Sequence, residues 1–458
     1  MAGVEVREVV PLAQPPDAVV RVPGSKSITN RALVCAALAG GTSVLDGALF
    51  ADDTAAMLDG LERLGIAVVA DPGAAQVTVT GCAGELPLVG GTGVTLDARL
   101  SGTTSRFLLP VLALSLASSP VRLDGAPPLR ARPMSDGIAA VRALGATVVE
   151  EGEPGHLPVV VHGPVAADRQ PVLEVAGGAS SQFLSGLLLA APALPTGLTL
   201  AVAGALVSRP YVDMTVAVMR SFGAEIAGDD GDGGGDDDLT WQVVGAGYHA
   251  VPRYAVEPDA SAASYFFAAA AICGGRVTVE GLGSSSVQGD LGFVDVLEQM
   301  GCRVEQTATS TTVVGPDPGS GGLAGVDVDM RELSDTAPTL AAVAVFARTP
   351  TRLRGIGFIR RKESDRIGDV VRELRRCGIT ADEEPDGLVV HPGAPRPARI
   401  ATYDDHRLAM SFALLGLRAR GIAIADPDVV AKTFPGYWDA LDALRTGTAP
   451  AGENGRRH

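Results

Sequence analysis

The chain has 458 residues, enough for two or three domains, and its 46% hydrophobic and 20% charged residues exclude a disordered protein. A net charge of −16 argues against a surface that coats nucleic acid or binds anionic membranes. The five scattered cysteines contain no C-x-x-C pair, which indicates a reduced cytoplasmic protein without a disulfide framework or a zinc site. The N-terminal residues MAGVEVREVV include acidic side chains and lack an apolar core, so no signal peptide is predicted.

Along the chain, a predicted helix repeatedly ends in a glycine that is followed by a short strand. These glycines lie 77 to 80 residues apart and fit helix ends in the left-handed conformation. They are Gly65, Gly145, Gly223, Gly301 and Gly378.

A second family of predicted helices is rich in alanine, nearly all apolar, and begins with small polar residues. The predicted starts lie near residues 25, 101, 180, 259, 334 and 404. Because a helix that is apolar on every side must be buried, these helices are expected to lie inside the fold. The pattern predicts six α/β units, packed as three units around inner helices in each of two similar domains.

The expected first domain spans residues 22–252, and the second combines residues 1–21 with 253–445. An uncharged stretch from Val175 to Ser208 is interrupted by prolines, so it predicts a buried helix over 181–193 and a strand over 198–202, not a membrane span. Residues 229–238 (DDGDGGGDDD) predict a disordered acidic loop, and residues 446–458 predict a flexible tail.

Cations stand at several predicted helix starts, where the helix dipole disfavours them. The chain has only three lysines, Lys26, Lys362 and Lys432, and all three occupy such positions, as do arginines. Capping explains serine, threonine and aspartate at helix starts but not these cations. The pattern predicts a site for a small ligand with several phosphate or carboxylate groups.

Familiar catalytic motifs are missing from the sequence. GSKS around Lys26 lacks the spacing of a P-loop, and no G-x-G-x-x-G opens a helix after a strand. Neither cysteine nor histidine is clustered as in a metal site or a catalytic triad. Acid–base and electrostatic chemistry remains, and its titratable candidates are Lys26, Asp335, Lys362, Glu363, His406 and Lys432.

From about residue 8 to residue 445, this chain resembles the EPSP synthase family of enolpyruvyl transferases, and eight stretches carry the resemblance. They are PGSKSITNRAL (23–33), ASSQFLSGLLLAAP (179–192), VSRPYVDMT (207–215), DASAASYFFAAAA (259–271), VQGD (287–290), RRKESDRI (360–367), YDDHRLAMSFAL (403–414) and AKTFPGYW (431–438). The resemblance implies an α/β fold of two similar domains, each of three βαβαββ units around buried helices, with the active site in the interdomain cleft.

The resemblance also implies two sets of binding residues. The set expected to bind shikimate-3-phosphate is Lys26, Ser27, Arg31, Ser180, Ser181, Gln182, Ser208, Tyr211, Asp335 and Lys362. The set expected to bind phosphoenolpyruvate is Lys26, Gly102, Arg132, Gln182, Arg366, Arg407 and Lys432. Arginine forks suit carboxylates, and a glycine lets a ligand approach the backbone closely.

The implied reaction is transfer of the enolpyruvyl group from phosphoenolpyruvate to the 5-hydroxyl of shikimate-3-phosphate, in the shikimate pathway to chorismate and aromatic amino acids. Asp335 is implied as proton acceptor and Glu363 as proton donor, with Lys26 and Lys432 stabilising the departing phosphate. No cofactor, metal, nucleic acid or membrane is implied, and a cytoplasmic monomer is expected.

Two departures from the family pattern affect the fine shape of the expected site. The usual Asn-Ala-Gly-Thr stretch is Leu100-Ser101-Gly102-Thr103 here, and a common proline is Phe107. A family asparagine four residues before Lys362 is Phe358.

Two alternatives to this function stay open at this point. An enolpyruvyl transferase acting on UDP-N-acetylglucosamine shares the fold, but it carries a loop cysteine that residues 118–134 lack. A non-catalytic anion-binding protein would not need the Asp335 and Glu363 pair.

Overall fold

The computed structural model of this protein describes residues 5–87, 93–115, 120–163, 172–178, 180–204, 206–228, 239–317 and 321–446. The predicted acidic loop at 229–238 and residues 447–458 of the predicted tail lie outside these ranges. The chain divides into two units. The N-terminal unit runs from Gly24 to Val256, and the C-terminal unit combines residues up to Pro23 with those from Glu257 onward.

The described residues form helices in a regular alternation with strands. The α-helices are α1 (Lys26–Leu38), α2 (Asp52–Arg63), α3 (Gly102–Leu112), α4 (Pro127–Arg130), α5 (Ser135–Ala143), α6 (Ser181–Ala190), α7 (Arg209–Ser221), α8 (Ala260–Cys273), α9 (Phe293–Gln299), α10 (Ala337–Ala344), α11 (Gly368–Arg376), α12 (His406–Gly416) and α13 (Tyr437–Ala443). Short 3-10 segments cover Ala191–Ala193, Gly289–Gly292, Ser334–Thr336, Gly357–Arg361 and Pro427–Lys432.

The strands between these helices are short. In chain order they are β1 (Val6–Glu8), β2 (Asp17–Val20), β3 (Ala39–Asp46), β4 (Ala67–Asp71), β5 (Gln76–Cys82), β6 (Val94–Asp97), β7 (Val121–Asp124), β8 (Thr147–Glu150), β9 (Val159–His162), β10 (Val172–Ala176), β11 (Leu198–Ala203), β12 (Ile226–Gly228), β13 (Thr240–Val243), β14 (Tyr248–His249), β15 (Tyr254–Ala255), β16 (Arg276–Glu280), β17 (Arg303–Gln306), β18 (Ser310–Val314), β19 (Asp327–Asp329), β20 (Thr351–Arg354), β21 (Ala381–Glu384), β22 (Gly387–Val390), β23 (Ala398–Ile400) and β24 (Ile422–Ala425).

Each unit contains three small sheets that share one pattern. The N-terminal unit has the orders β14-β3-β5-β4 (with β15 also on β3), β6-β7-β9-β8 and β10-β11-β13-β12. The C-terminal unit has β17-β18-β16-β2, β19-β20-β22-β21 and β1-β24-β23. Each of these sheets combines parallel pairing, such as β6 with β7, with antiparallel pairing, such as β7 with β9. The six predicted α/β units are therefore present, and in three of them strands distant in sequence complete the sheet.

Three inner helices lie in the core of each unit, as the apolar patterns predict. They are α1, α3 and α6 in one unit and α8, α10 and α12 in the other, and nearly all of their residues are buried. Each unit has its own hydrophobic cluster, one built around α1 and the other around α8. The helices begin within about three residues of the predicted starts, because serine or aspartate caps set those starts in five of the six helices.

The five repeated glycines adopt the predicted left-handed backbone, with φ between 77° and 107°. The uncharged stretch forms α6, a 3-10 turn and β11, and no helix among the described residues is long and apolar enough to cross a membrane.

A second set of glycines lets four of the sheets closely approach the backbone of an inner helix or of the residues just after it. A Cβ on Gly81 of β5 would lie 2.2 Å from the carbonyl oxygen of Ala36 in α1. Gly163, Gly245 and Gly315 occupy the corresponding places after β9, β13 and β18, where a Cβ would lie 2.1–2.2 Å from another carbonyl oxygen. These contacts lie at the C-terminal ends of inner helices or just beyond them. The site residues described below lie at the opposite, N-terminal ends.

Replacing Gly81 with alanine should therefore destabilise the protein by about 1–3 kcal/mol, because backbone atoms cannot yield as a flexible side chain can. Thermal and urea unfolding of the variant measure this loss. The matched control is Gly178→Ala in the same unit, since nothing lies within 4 Å of a Cβ at that position. Equal melting temperatures for the two variants would contradict the close-approach role of Gly81.

Candidate functional site

The N-terminus of α1 carries the first predicted site residues. Ser25 caps the helix by accepting a hydrogen bond from the Ile28 amide, and Lys26 and Ser27 follow as its first two residues. Lys26 Nζ lies 3.2 Å from Oδ2 of Asp53, a buried carboxylate in the first turn of α2. This carboxylate compensates a cation that the α1 dipole disfavours, and it keeps the ammonium in a fixed position.

Arg31 lies one turn further along α1 and is fully buried. Its guanidinium donates to Thr215 Oγ1 at 2.7 Å, to the Tyr211 carbonyl at 3.0 Å and to the Ser27 carbonyl at 2.9 Å. Among the described residues, no carboxylate forms an ion pair with it, and burial lowers the pKa of Arg31 to about 10. The cation therefore joins α1 to α7 and leaves its charge available to an anion.

The N-terminus of α3 meets two arginines. Ser101 caps the helix through the Thr104 amide, and Gly102 is its first residue. A Cβ on Gly102 would lie 2.9 Å from Arg132 Nη1 and 2.8 Å from Arg106 Nη1, so the glycine leaves room for both guanidiniums. Arg106 Nη1 also donates to Gln182 Oε1 at 2.6 Å. Three residues assigned to phosphoenolpyruvate by resemblance therefore lie around Arg106.

Arg132 follows the short helix α4, whose end is fixed by an ion pair. Asp124 at the end of β7 accepts from Arg130 at 2.8 Å and 2.7 Å. This clamp holds the turn that carries Arg132 two residues later.

The serine residues begin the other two site helices of this unit. Ser180 caps α6, and its hydroxyl accepts from the Gln182 amide, while Ser181 is the first helical residue. Ser208 precedes α7 in the left-handed conformation with φ 56°, and its carbonyl accepts from the Tyr211 amide at 3.1 Å. Tyr211 is partly buried and packs against the core of the unit. These polar residues therefore lie at the N-terminal ends of α6 and α7.

In the C-terminal unit, one guanidinium binds the two predicted catalytic carboxylates. Arg366 is almost fully buried; its Nη1 lies 3.1 Å from Asp335 Oδ1 and its Nη2 lies 2.7 Å from Glu363 Oε2. Its Nε lies 2.8 Å from Oδ2 of Asp405, which is completely buried and also caps α12 through the Arg407 amide. Desolvation alone would lower the pKa of Arg366, but the carboxylates of Asp405, Glu363 and Asp335 outweigh it and raise that pKa.

Two further cations contact these carboxylates. Arg407 Nη2 lies 2.6 Å from Asp335 Oδ2, and Lys432 Nζ lies 3.2 Å from Glu363 Oε1. Each predicted catalytic carboxylate is therefore shared between two cations, and an anionic ligand that took up those cations would release the carboxylates.

Lys362 follows the 3-10 segment Gly357–Arg361 and is partly exposed. Phe358, the departure from the family pattern, lies in that segment and packs against the core of the unit. His406 begins α12 and is buried, with its Nδ1 3.7 Å from Asp405 Oδ1.

Four residues that support the site are absent from the predicted binding and catalytic sets: Asp53, Arg106, Asp405 and Asp290. Asp290 is the last residue of VQGD and lies in the 3-10 segment Gly289–Gly292; it is buried, and it accepts a hydrogen bond from Ser261 Oγ. Burial, and then the nearby Asp335 carboxylate, raises the pKa of Asp290 to about 6, while Arg407 and the Ser261 hydrogen bond oppose this rise. Arg106 and Asp405 lie near the starts of apolar helices, and Asp290 belongs to a stretch that resembles the family, whereas Asp53 carries no such signal.

The predicted site residues thus form two groups, each within one unit. The first is Lys26, Ser27, Arg31, Gly102, Arg132, Ser180, Ser181, Gln182, Ser208 and Tyr211, and the second is Asp335, Lys362, Glu363, Arg366, Arg407 and Lys432. No group of three or more His, Cys, Asp or Glu among the described residues could hold a metal ion.

The raised pKa of Asp290 predicts a pH dependence of stability. Asp290 keeps its proton up to about pH 6 in the folded protein but loses it near pH 4 in the unfolded chain. The contribution of this group to the free energy of unfolding therefore falls as pH rises from about 4 to 6. The Asp290→Asn variant should lack that decline, and its free energy of unfolding should rise relative to the unsubstituted protein between pH 5 and 7.

Urea unfolding at several pH values measures this difference, with the exposed Asp327→Asn as the control. If the free energies of unfolding of Asp290→Asn and of the unsubstituted protein change with pH in the same way, the pKa of Asp290 is not raised by burial.

Comparisons with known proteins agree in pointing to one family. The family model described as EPSP synthase (3-phosphoshikimate 1-carboxyvinyltransferase) matches residues 13–441. A 3-phosphoshikimate 1-carboxyvinyltransferase of Nostoc punctiforme is 44% identical over 94% of this chain and 97% of its own, and a chloroplastic one of Brassica napus is 39% identical over 93% and 82%. The structure of an EPSP synthase from Acinetobacter baumannii has a TM-score of 0.78 at 26% identity, covering 96% of this chain and 98% of that one. The chain therefore belongs to the EPSP synthase family.

Proposed function

We propose that this chain transfers the carboxyvinyl group of phosphoenolpyruvate to the 5-hydroxyl of shikimate-3-phosphate, releasing phosphate. The observation that carries the proposal is the guanidinium of Arg366, which binds both Asp335 and Glu363 at 3.1 Å and 2.7 Å. This contact holds a proton acceptor and a proton donor at a fixed separation on one rigid group, as a coupled addition and elimination requires.

Shikimate-3-phosphate is assigned to the serine hydroxyls and to Lys26, Arg31 and Lys362. Hydroxyls and amides at the starts of α6 and α7 suit a phosphate, since helix N-termini stabilise anions. Arg31 adds a buried positive charge that no carboxylate of the described residues pairs with. Asp335 is assigned a hydrogen bond to a ring hydroxyl, and Ser27, Gln182 and Tyr211 complete the set.

Phosphoenolpyruvate is assigned to Arg132, Gln182 and Gly102, with Lys26, in one unit. Arg366, Arg407 and Lys432 are assigned to it in the other. Two negatively charged groups on this small substrate call for several cations, and guanidiniums bind a carboxylate with two parallel hydrogen bonds. Gln182 supports this assignment because Arg106 fixes its amide at 2.6 Å.

In the addition step, the 5-oxygen of shikimate-3-phosphate forms a bond to the central carbon of phosphoenolpyruvate. The proton of that hydroxyl passes to Asp335, and the methylene carbon gains a proton from Glu363. In the elimination step, the bond to the phosphate oxygen breaks and phosphate leaves on Lys26 and Lys432, taking up the proton that Asp335 holds. The methyl group returns a proton to ionised Glu363, so both carboxyl groups regain their starting states. The products are the enolpyruvyl ether and inorganic phosphate.

The cations around Glu363 explain how substrate binding prepares the acid. Arg366 and Lys432 favour its charged form while they contact it. When the phosphate and carboxylate of phosphoenolpyruvate engage these cations, the substrate competes with Glu363 for them. Binding of phosphoenolpyruvate therefore favours the neutral form of Glu363, which can donate a proton.

The relatives named above are carboxyvinyltransferases of 3-phosphoshikimate, which favours this acceptor over UDP-N-acetylglucosamine. The proposal includes action as a cytoplasmic monomer, and light scattering after size-exclusion chromatography tests the monomer.

The function is tested by phosphate release from phosphoenolpyruvate with either acceptor. Release with shikimate-3-phosphate and none with UDP-N-acetylglucosamine is expected. The reverse preference would replace the proposed function with the sister activity, and no release with either acceptor would favour a non-catalytic anion-binding protein.

Lys26→Arg should lose most of the turnover although it keeps the charge. The ammonium lies in a nearly buried place beside Asp53, and a larger guanidinium neither fits a point-charge site nor exchanges a proton near neutral pH. Steady-state kinetics measure this loss, with Arg63→Lys in an exposed ion pair as the matched control. Near-normal turnover in Lys26→Arg would reject the role assigned to the ammonium.

Asp335→Ala and Glu363→Ala should each lower kcat by roughly 10²–10⁴-fold, the range for a lost general acid or base. Shikimate-3-phosphate should bind Glu363→Ala better than Asp335→Ala, because only Asp335 is assigned a contact to it. Calorimetric titration measures the two affinities, and Asp327→Ala serves as an exposed control. Equal loss of affinity in both variants would mean that the two roles are wrongly divided.

A further inference from the structure

A buried carboxylate outside the proposed binding sets reaches Arg407 through one hydroxyl. Asp290 lies in the 3-10 segment Gly289–Gly292, and Ser261 Oγ in the first turn of α8 donates a hydrogen bond to its Oδ2. Ser261 Oγ lies 3.5 Å from Arg407 Nη2, and that same nitrogen lies 2.6 Å from Asp335 Oδ2. Asp290, Ser261, Arg407 and Asp335 thus form one polar chain.

The segment that carries Asp290 is fixed onto the start of α8. Gln288 Oε1 accepts from the Ala260 amide at 3.0 Å, and its Nε2 donates to Glu257 at 2.9 Å and to the Pro258 carbonyl at 2.7 Å. These contacts leave Asp290 little freedom to move away from Ser261.

Ser261 has one proton, and Asp290 determines where it points. Because the hydroxyl donates to the carboxylate, its oxygen lone pairs remain for an N–H donor, and the guanidinium of Arg407 supplies one. A carboxylate close to this link also adds negative charge beside a cation at a helix N-terminus, where the dipole opposes that cation.

Arg407 needs a second anchor in the proposed reaction. It is held by Asp335, and Asp335 is the proposed proton acceptor, which loses its negative charge during turnover. At that step the Asp335 contact weakens, and the contact to Ser261 still restrains the guanidinium.

We propose that Asp290 is a positioning residue, which acts through Ser261 to hold the Arg407 guanidinium in place for the carboxylate or phosphate of phosphoenolpyruvate. The inference rests on the proposed function, because it concerns the same substrate. Asp290 touches neither substrate in this scheme.

The charged groups around Asp290 decide the direction of the effect. Asp335 and Asp259 repel its carboxylate, and Arg407 attracts it. Asp290→Asn keeps the shape but removes the charge and weakens the acceptor for Ser261, so Arg407 should lose its orientation without a change in packing.

Steady-state kinetics of Asp290→Asn, Ser261→Ala and the double variant test the inference. We expect the KM for phosphoenolpyruvate to rise about tenfold in each single variant, with less than a threefold change in the KM for shikimate-3-phosphate. The double variant should be no worse than the poorer single variant, because both substitutions break one chain. Ser261→Thr, which keeps the hydroxyl, should restore most of the affinity.

The matched control is Asp369→Asn, which removes another mostly buried carboxylate in the same unit, paired with Arg372 instead of a proposed site residue. Its KM for phosphoenolpyruvate should stay unchanged. Melting temperatures accompany all variants, and Ser261→Ala keeps the test decisive if Asp290→Asn folds poorly.

An unchanged KM for phosphoenolpyruvate in folded Asp290→Asn or Ser261→Ala would overturn the inference. A double variant whose increase in KM equals the product of the two single increases would also overturn it. Failure of the proposed function looks different, since the unsubstituted protein would then release no phosphate from the two substrates.

Discussion

The guanidinium of Arg366 is the interaction on which the site in the C-terminal unit depends. It is almost fully buried, and it binds carboxylates from three separate segments: Asp335 before α10, Glu363 before α11 and Asp405 at the cap of α12. A buried cation needs such compensation, because removing one partner of a buried ion pair costs about 3–5 kcal/mol. The network therefore couples the starts of three helices, so that a shift of one changes the charge around the others.

The repeated fold explains why so many polar groups lie at helix starts. Among the described residues, each unit buries three apolar helices, and five of these six helices have serine, glycine, lysine or arginine within their first two residues. A lysine or arginine in the first turn opposes the helix dipole, and each such cation described here is compensated: Lys26 by Asp53, and Arg407 by Asp335. A cation at a helix N-terminus is locally unfavourable, and repeated placement of such cations is the pattern expected of a site for an anionic ligand.

The sequence predicts the local features of this fold well. The glycines at 65, 145, 223, 301 and 378 are fixed by backbone geometry, since a left-handed residue after a helix favours glycine wherever it occurs. The helix starts were predicted because serine and aspartate caps are also local. The pairing of strands that are distant in sequence could not be predicted in this way. For example, β2 pairs in parallel with β16, but the sequence pattern of neither strand indicates which strand it pairs with.

The same distinction applies to the site. Lysines and arginines at helix starts stand out in the sequence, but the carboxylate that pairs with Lys26 does not. Asp53 is an ordinary acidic residue in the first turn of α2, where aspartate is common, and only the packing of α1 on α2 brings it to Lys26. The link between Asp290 and Arg407 could not be predicted from local sequence either, because it passes through a serine in another helix.

Charge balance provides the last step from structure to chemistry. Arg366, Arg407 and Lys432 already carry Asp335, Glu363 and Asp405 as partners, so the C-terminal group is an internally compensated set of charges. A dianionic or trianionic substrate can enter such a set only by taking cations away from its carboxylates. In the proposed reaction, Asp335 and Glu363 then have less positive charge nearby, which favours their protonated forms. In the proposed reaction, these ion pairs link substrate binding to the protonation of Asp335 and Glu363.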